Sequence, residues 1–425
     1  VKTPARFRLF AALATILLGL TALRSEASAP AESEVIIEWN QAVLANTPAP
    51  VGIFGFRFQA MTHIAMFDAV NSIQPRYRPY HVWVPAFPGA SAEAAAAQAA
   101  HDVLVALIPT AASTFDTLLK NRLATIPPWR AAQGVAVGKK VAASILEWRT
   151  ADGFEQPNLP YLPPPLPGLW QPTAPGQVAA FVQFQNAEPF ALLTPTQYLP
   201  KQPPALNSPE YAAALNQVKA IGASNSSERT ADQTLLARAV AGVGYTPNPT
   251  GLWATATQGI VRNRDLSLID SARVFALVSV ALTDGIQTSH SSKFVYGLWR
   301  PITAIQRANE DLNDLTTADP SWTPLIPTPP YPSHSSNVAC LSTSAARVLA
   351  RAFRTDAVPF TMTWTGTGGN TDHTRSYTRF SQLAEEAGLS RVYGGIHFMF
   401  ELDASNEACT KVADYLADNY MQRLW

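Results

Sequence analysis

The sequence predicts an all-α protein, one helical bundle or two fused four-helix bundles, crossed by a long proline-rich loop. Three observations predict it. Apolar and small residues recur at helical spacing through most of the chain after position 30, no run alternates over a strand's length, and proline concentrates between positions 152 and 206. With 425 residues, 47% of them hydrophobic, the chain has enough apolar surface for a large core.

Taken in order, the first segment stands apart from that fold. Lys2, Arg6 and Arg8 precede an apolar run from Leu9 to Leu23, which gives way to the small residues Ala27, Ser28 and Ala29. This is the order of a secretory signal peptide over residues 1–29. The run is shorter than the roughly 20 residues that span a bilayer. A secreted or periplasmic protein with no stable membrane span after cleavage is therefore expected, an uncleaved anchor being the alternative.

Residues 34–80 read as a helix pair broken near Pro48 to Gly55, with Ala60, Ile64, Phe67 and Ala69 at helical spacing. His63 lies in this stretch and, on an apolar helix face, reads as a core residue. Residues 91–107 are rich in alanine with Glu93 near the start, and residues 111–125 and 131–148 continue the rhythm. Between Asp152 and Leu206, Pro163, Pro164, Pro165, Pro167, Pro172, Pro175, Pro203 and Pro204 exclude long helices. The expectation is an ordered loop lying over the bundle. Helices resume at residues 209–221, at 228–241 and from 271 onward.

Lys plus Arg and Asp plus Glu number 31 each, which removes the basic footprint of a nucleic-acid binder. Cys340 and Cys409 are the two cysteines. In an exported chain they are able to pair, and two separate buried thiols are equally consistent with the sequence. Neither sits in the setting of a nucleophile.

Three blocks in the last third carry cations or hydrogen-bond donors. The first is Lys293-Phe-Val-Tyr-Gly-Leu-Trp-Arg300-Pro301, whose two cations lie two turns apart on one helix face before proline redirects the chain. Alone, it would also serve as a solvated basic face. The second is Thr328-Pro-Pro-Tyr-Pro-Ser-His-Ser-Ser-Asn-Val-Ala-Cys340, a proline-rich approach to a Ser/Asn cluster ahead of a helix. Hydroxyls and backbone N–H groups at a helix start favour an anion, and plain N-capping by Ser335, Ser336 or Asn337 accounts for the same residues. In the third, Ser390-Arg391-Val-Tyr-Gly-Gly-Ile-His397-Phe-Met-Phe-Glu401, Gly394 and Gly395 end one helix and His397 opens the last, residues 398–420. Glu401, one turn on, is placed to hydrogen-bond the far nitrogen of His397 and fix its tautomer.

Together these blocks resemble the vanadium haloperoxidase and type 2 phosphatidic acid phosphatase superfamily, with its patterns Lys-x6-Arg-Pro, Pro-Ser-Gly-His and Ser-Arg-x5-His. The stretches from Phe58 to Asp68, Pro203 to Leu206, Glu228 to Thr230, Trp299 to Ile305 and Asp319 to Leu325 are similar to its bacterial, exported, haloperoxidase-like branch. The resemblance implies that residues 30–425 form one helical domain with a single oxyanion site in its part 271–425. Lys293, Arg300 and Arg391 would surround the oxygens of vanadate, or of phosphate in its place, with Ser336 and Asn337 as further cofactor-binding residues. His397 would be the metal ligand on vanadium, the substrates then being hydrogen peroxide and halide. In a secreted phosphoester hydrolase, an acid phosphatase, His397 would instead be the nucleophile on phosphorus. A homodimer is a further expectation.

One position departs from the pattern. Counting back from the helix through Ala345, Pro-Ser-Gly-His falls on Ser335, Ser336, Asn337 and Val338, so valine stands where the acid/base histidine belongs. Losing such a group typically costs about 10²–10⁴ in rate, which makes a catalytically silent, oxyanion-binding member a third reading. A competing register takes Pro332-Ser333-His334 as the motif with its glycine deleted. The ungapped register is preferred because it keeps the downstream helix in phase.

Overall fold

Helical spacing in the sequence becomes helices almost segment for segment. In the computed structural model, which describes residues 31–47 and 53–424, there are thirteen α-helices and one small antiparallel sheet. The leader expected at residues 1–29 lies outside the described residues. No described helix is long and apolar enough to cross a membrane.

The N-terminal half is built from α1 (Ala31–Asn46), α2 (Phe54–Ile73), α3 (Ala92–Leu107), α4 (Ala112–Leu123) and α5 (Pro128–Trp148). The alanines of α3 are a packing device: Ala95, Ala96, Ala99 and Ala100 are fully buried. A Cβ on Gly134 of α5 would come within 2.3 Å of the Ser91 carbonyl oxygen, and one on Gly138 within 2.5 Å of that of Ala95, so the two helices meet at backbone distance. Ser91 caps α3 by accepting from the Ala94 N–H. His63 is a core residue as expected. It is buried, stacks on Phe275 with ring centres 5.0 Å apart and lies 3.0 Å from Asn40 Oδ1 through Nε2.

Two buried carboxylates hold the proline-rich segment, one at its start and one at residues 190–192. Asp152 accepts from Arg57 Nε at 2.7 Å and Arg149 Nε at 2.9 Å. Asp284, from a later helix, accepts the backbone N–H groups of Phe190, Ala191 and Leu192 at 2.7, 2.7 and 3.0 Å. The Asp284 bonds satisfy a backbone that proline keeps out of helices.

The remaining helices are α6 (Pro209–Ile221), α7 (Ala231–Ala241), α8 (Leu252–Arg264), α9 (Leu268–Tyr296), α10 (Pro301–Gln306), α11 (Asn337–Phe353), α12 (Phe380–Tyr393) and α13 (Met399–Asn419). Helix α9 is buried over nearly its whole length and packs on α1 and α2 as well as on α11 and α13, so it belongs to both halves. Cys340 of α11 and Cys409 of α13 form a disulfide with Cα atoms 5.3 Å apart, which decides between the two readings of these cysteines.

Three local expectations are corrected. Helix α7 begins at Ala231, after position 228, because Thr230 and Gln233 form a reciprocal capping box. Helix α8 was not anticipated, since its Thr and Gly content masks an apolar face of Leu252, Trp253, Ile260 and Val261. The third is a strand where none was expected. Phe360–Gly366 alternates apolar residues with threonine, burying Phe360, Met362 and Trp364, and pairs antiparallel with His373–Tyr377 on one side and Tyr245–Thr246 on the other.

Candidate oxyanion site

The C-terminal helices bring side chains from distant parts of the chain to one buried place. Lys293 leaves the last turn of α9 and is fully buried. Its Nζ donates to the Ser333 carbonyl at 2.7 Å and also to that of Ser335. Arg300 is the residue just before α10, with Pro301 in the helix's first turn. Its Nε donates to the Tyr331 carbonyl at 2.8 Å, its Nη1 donates to the Ile396 carbonyl at 3.0 Å, and Nη1 lies 3.3 Å from His397 Nε2. Arg391 sits in the last turn of α12 and is 7% exposed.

His397 is held in the short link between α12 and α13. Gly395 takes φ +77°, and a Cβ there would meet the Gly222 carbonyl oxygen at 2.4 Å, so only glycine makes this turn against α6. Glu401, fully buried in the first turn of α13, accepts from His397 Nδ1 at 2.7 Å, from the Phe398 N–H at 2.8 Å and from Ser333 Oγ at 3.0 Å. With Nδ1–H committed to the carboxylate, Nε2 is the unprotonated nitrogen and faces Arg300 Nη1.

Burial and mutual repulsion set the charges. Desolvation, then Arg300, pushes Lys293 well below the ordinary lysine value, with Arg391 acting in the same sense. Arg391 is lowered to about 10 by burial, with Arg300 adding to the effect. His397 is held well below its ordinary value by burial and then by Arg300, Lys293 and Arg391, so its imidazole is neutral. Glu401 is raised to about 7 by burial, against the pull of Lys293 and Arg300. Donors are left over: Arg391 Nε and Nη1 and Arg300 Nη2 are buried with no acceptor among the described residues. Three cations facing a single carboxylate, with unused guanidinium N–H groups, form a receptor for an anion.

The second block supplies the wall. Ser336 is the N-cap of α11, its hydroxyl accepting from the Ala339 N–H and its own N–H bonded to Ser405 Oγ at 2.9 Å. Asn337 accepts from Ser289 Oγ at 2.9 Å, and its Nδ2 lies 3.4 Å from His290 Nδ1. Val338 lines a cavity of about 750 Å³ together with Asn337, Tyr331 and Arg391. His334 is turned elsewhere: its Nε2 donates to the Lys201 carbonyl at 2.7 Å, and its ring lies between Tyr296 and Phe400. Sequence reasoning missed Tyr331, whose ring centre lies 5.4 Å from Lys293 Nζ and 5.0 Å from the Arg300 guanidinium carbon, and it missed Ser333 as the partner of Glu401. The signal for the first was an aromatic residue beside the cation blocks; nothing local marks the second.

Residues 273–425 match the family model described as the VCPO second helical-bundle domain. This part of the chain belongs to the haloperoxidase-like superfamily. The described residues have the haloperoxidase fold. A structure of the first bacterial vanadium-dependent iodoperoxidase superposes with a TM-score of 0.77 at 22% identity, covering 92% of this chain and 97% of that one. A holo-type bacterial vanadium-dependent chloroperoxidase gives 0.73 at 15% identity, covering 93% and 98%, and an apo-type one gives 0.72 at 15%, covering 89% and 96%. No curated protein matches the sequence. In haloperoxidase terms, the Lys-x6-Arg-Pro block spans the end of α9 and the start of α10, and the Ser-Arg-x5-His block spans the link from α12 to α13.

Proposed function

We propose that this protein binds vanadate between Lys293, Arg300, Arg391 and His397 and uses it for peroxide-dependent oxidation of halide. The observation that carries the reading is the set of orphaned N–H groups on Arg300 and Arg391 beside the unprotonated Nε2 of His397. These residues fit vanadate: the guanidinium groups and Lys293 would bind its oxygens, with Ser336 and Asn337 at the adjoining helix start, and His397 Nε2 would be its protein ligand on vanadium. When bound, the group supplies a Lewis acid that activates peroxide. The chain's own part is electrostatic. Glu401 fixes the His397 tautomer, and the cations hold negative charge in a site shielded from water.

The same lone pair on His397 Nε2 suits attack on phosphorus, so a secreted phosphoester hydrolase is the second reading. Val338 supports the third, an oxyanion binder with little turnover, because its side chain moves no proton. One pair of assays separates them. Protein reconstituted with vanadate should brominate a phenolic dye in the presence of peroxide, and vanadate-free protein should leave an aryl phosphate intact; the reverse pattern selects the phosphatase, and silence in both selects the binder.

The reading includes export, with residues 30–425 as the mature domain. N-terminal sequencing of secreted protein should find a start between Ala27 and Glu32, whereas an intact N-terminus recovered from membranes would favour an anchor. The homodimer remains part of the proposal, and light scattering tests it.

A further inference from the structure

Turnover at an oxyanion site needs a proton, and Val338 stands where the superfamily pattern has the histidine that would move it. The other acids nearby are committed. Lys293 Nζ donates to the carbonyls of Ser333 and Ser335, His334 Nε2 to that of Lys201, and His397 Nδ1 to Glu401. Of the residues lining the cavity of about 750 Å³ beside the site, Tyr331 and Arg391 are the two that titrate. A guanidinium does not give up its proton in a protein, which leaves the phenol.

Sequence and packing both fix Tyr331. It lies between Pro330 and Pro332, which restricts its backbone. Its carbonyl accepts from Arg300 Nε at 2.8 Å, the Pro330 carbonyl accepts from the Ala180 N–H at 2.9 Å, and the Ser333 N–H donates to the Leu298 carbonyl at 2.8 Å. The ring packs edge-on against the fully buried His290, centres 4.9 Å apart. Its face takes two cations, with Lys293 Nζ 5.4 Å and the Arg300 guanidinium carbon 5.0 Å from its centre. The hydroxyl has no acceptor among the described residues and is not one of the buried unpaired polar atoms, so it opens to the cavity that the residue lines. Burial lowers Arg300 and Arg391, and Tyr331 leads the groups that oppose that shift in each, so it lies within electrostatic reach of both.

We propose that Tyr331 is the proton donor of the site, its Oη–H hydrogen-bonding the bound oxyanion and passing its proton to the oxygen that departs. The hydrogen bond needs only an anion in the site, whereas the proton transfer rests on the peroxidase reading. In that reaction halide gives two electrons to hydrogen peroxide as the O–O bond breaks and a halogen–oxygen bond forms, giving hypohalous acid and a hydroxide oxygen. That oxygen takes the Tyr331 proton and departs as water, and solvent reprotonates the phenolate through the cavity. The charge left on Oη meanwhile lies near Arg300 and Arg391. An ordinary phenol is a weaker acid than an imidazolium, so Val338→His should still add to the rate.

The test uses full-length mature protein with vanadate as the probe. Titrated calorimetrically into vanadate-free protein, vanadate should bind Tyr331→Phe about tenfold more weakly than the wild type, since this variant keeps the ring and loses a hydrogen bond to a charged group. A protein carrying ortho-fluorotyrosine at position 331 supplies a second readout, because its single fluorine resonance should move when vanadate is added. In the reconstituted enzyme the same replacement should shift the alkaline limb of the pH–rate profile to lower pH, the fluorinated phenol being more acidic. Lys293, Arg300, Arg391 and His290, the ionisable groups that face Tyr331, are unchanged by it, so a purely structural tyrosine would leave that limb in place. Equal affinity of Tyr331→Phe and wild type, or a fluorine resonance indifferent to vanadate, overturns the proposal; an unmoved limb overturns the proton transfer. If Tyr331→Phe fails to fold, the fluorinated protein decides alone. A wild type that binds vanadate without oxidising halide sinks the peroxidase reading and leaves the hydrogen bond to be judged by the binding comparison, while one that binds no vanadate sinks both.

Discussion

Val338 and His334 together decide whether the site turns over. Val338 lies in the cavity wall beside Asn337, while His334 spends its Nε2–H on the Lys201 carbonyl. Val338→His combined with Asn337→Gly should therefore raise peroxidase or phosphatase turnover by at least about tenfold where proton transfer limits the rate. His334→Ala should do little. Loss of a strong parental activity in His334→Ala, with no gain from Val338→His, would reassign the acid/base to His334. A second residue-scale prediction concerns His63, which burial lowers to about 3. The folded protein keeps this imidazole neutral, while the unfolded chain protonates it below about 6.5, so stability is complete above that pH and falls as the medium is acidified. Between pH 7.5 and 5 this group removes about 2 kcal/mol of stability. Urea unfolding of the wild type should show that extra loss relative to His63→Gln, and identical pH slopes would refute it. Lys293, Arg300, Arg391 and His397 were legible in the sequence because each belongs to a local motif. Tyr331 and Ser333 were not, because what gives them meaning is a helix tens of residues away.

At the scale of elements, the helices that sequence spacing marked are those with an uninterrupted apolar face, such as α2 and α9. Segment α8 escaped because threonine and glycine lower its helix propensity, and burial overrides that. The strand Phe360–Gly366 carries its period of two openly in Phe360, Met362 and Trp364; a chain otherwise helical made the pattern easy to pass over. The pairing of α11 with α13 was undecidable from two cysteines alone, since spacing says nothing of distance. The Cys340–Cys409 bond closes a segment with a sequence separation of 69 residues. In the chain-entropy model such a closure contributes about 4 kcal/mol. Replacing both cysteines with alanine should lower the denaturation midpoint accordingly, while an unchanged midpoint would mean that packing alone holds the two helices together.

For the whole molecule, buried charge and folding are coupled through Lys293, Arg300 and Arg391. An anion that neutralises them binds the folded chain and finds no such site in the unfolded one, so it raises thermal stability by mass action, by about 2.7 kcal/mol at a hundredfold excess over Kd. Melting temperature should climb with vanadate or phosphate, and the climb should vanish in Arg391→Ala; a wild-type melting curve indifferent to both anions would deny the receptor. The preparation buffer is then itself a reagent. Protein purified in phosphate would arrive with its site filled, would look sturdier than it is, and would answer a vanadate titration with displacement instead of binding.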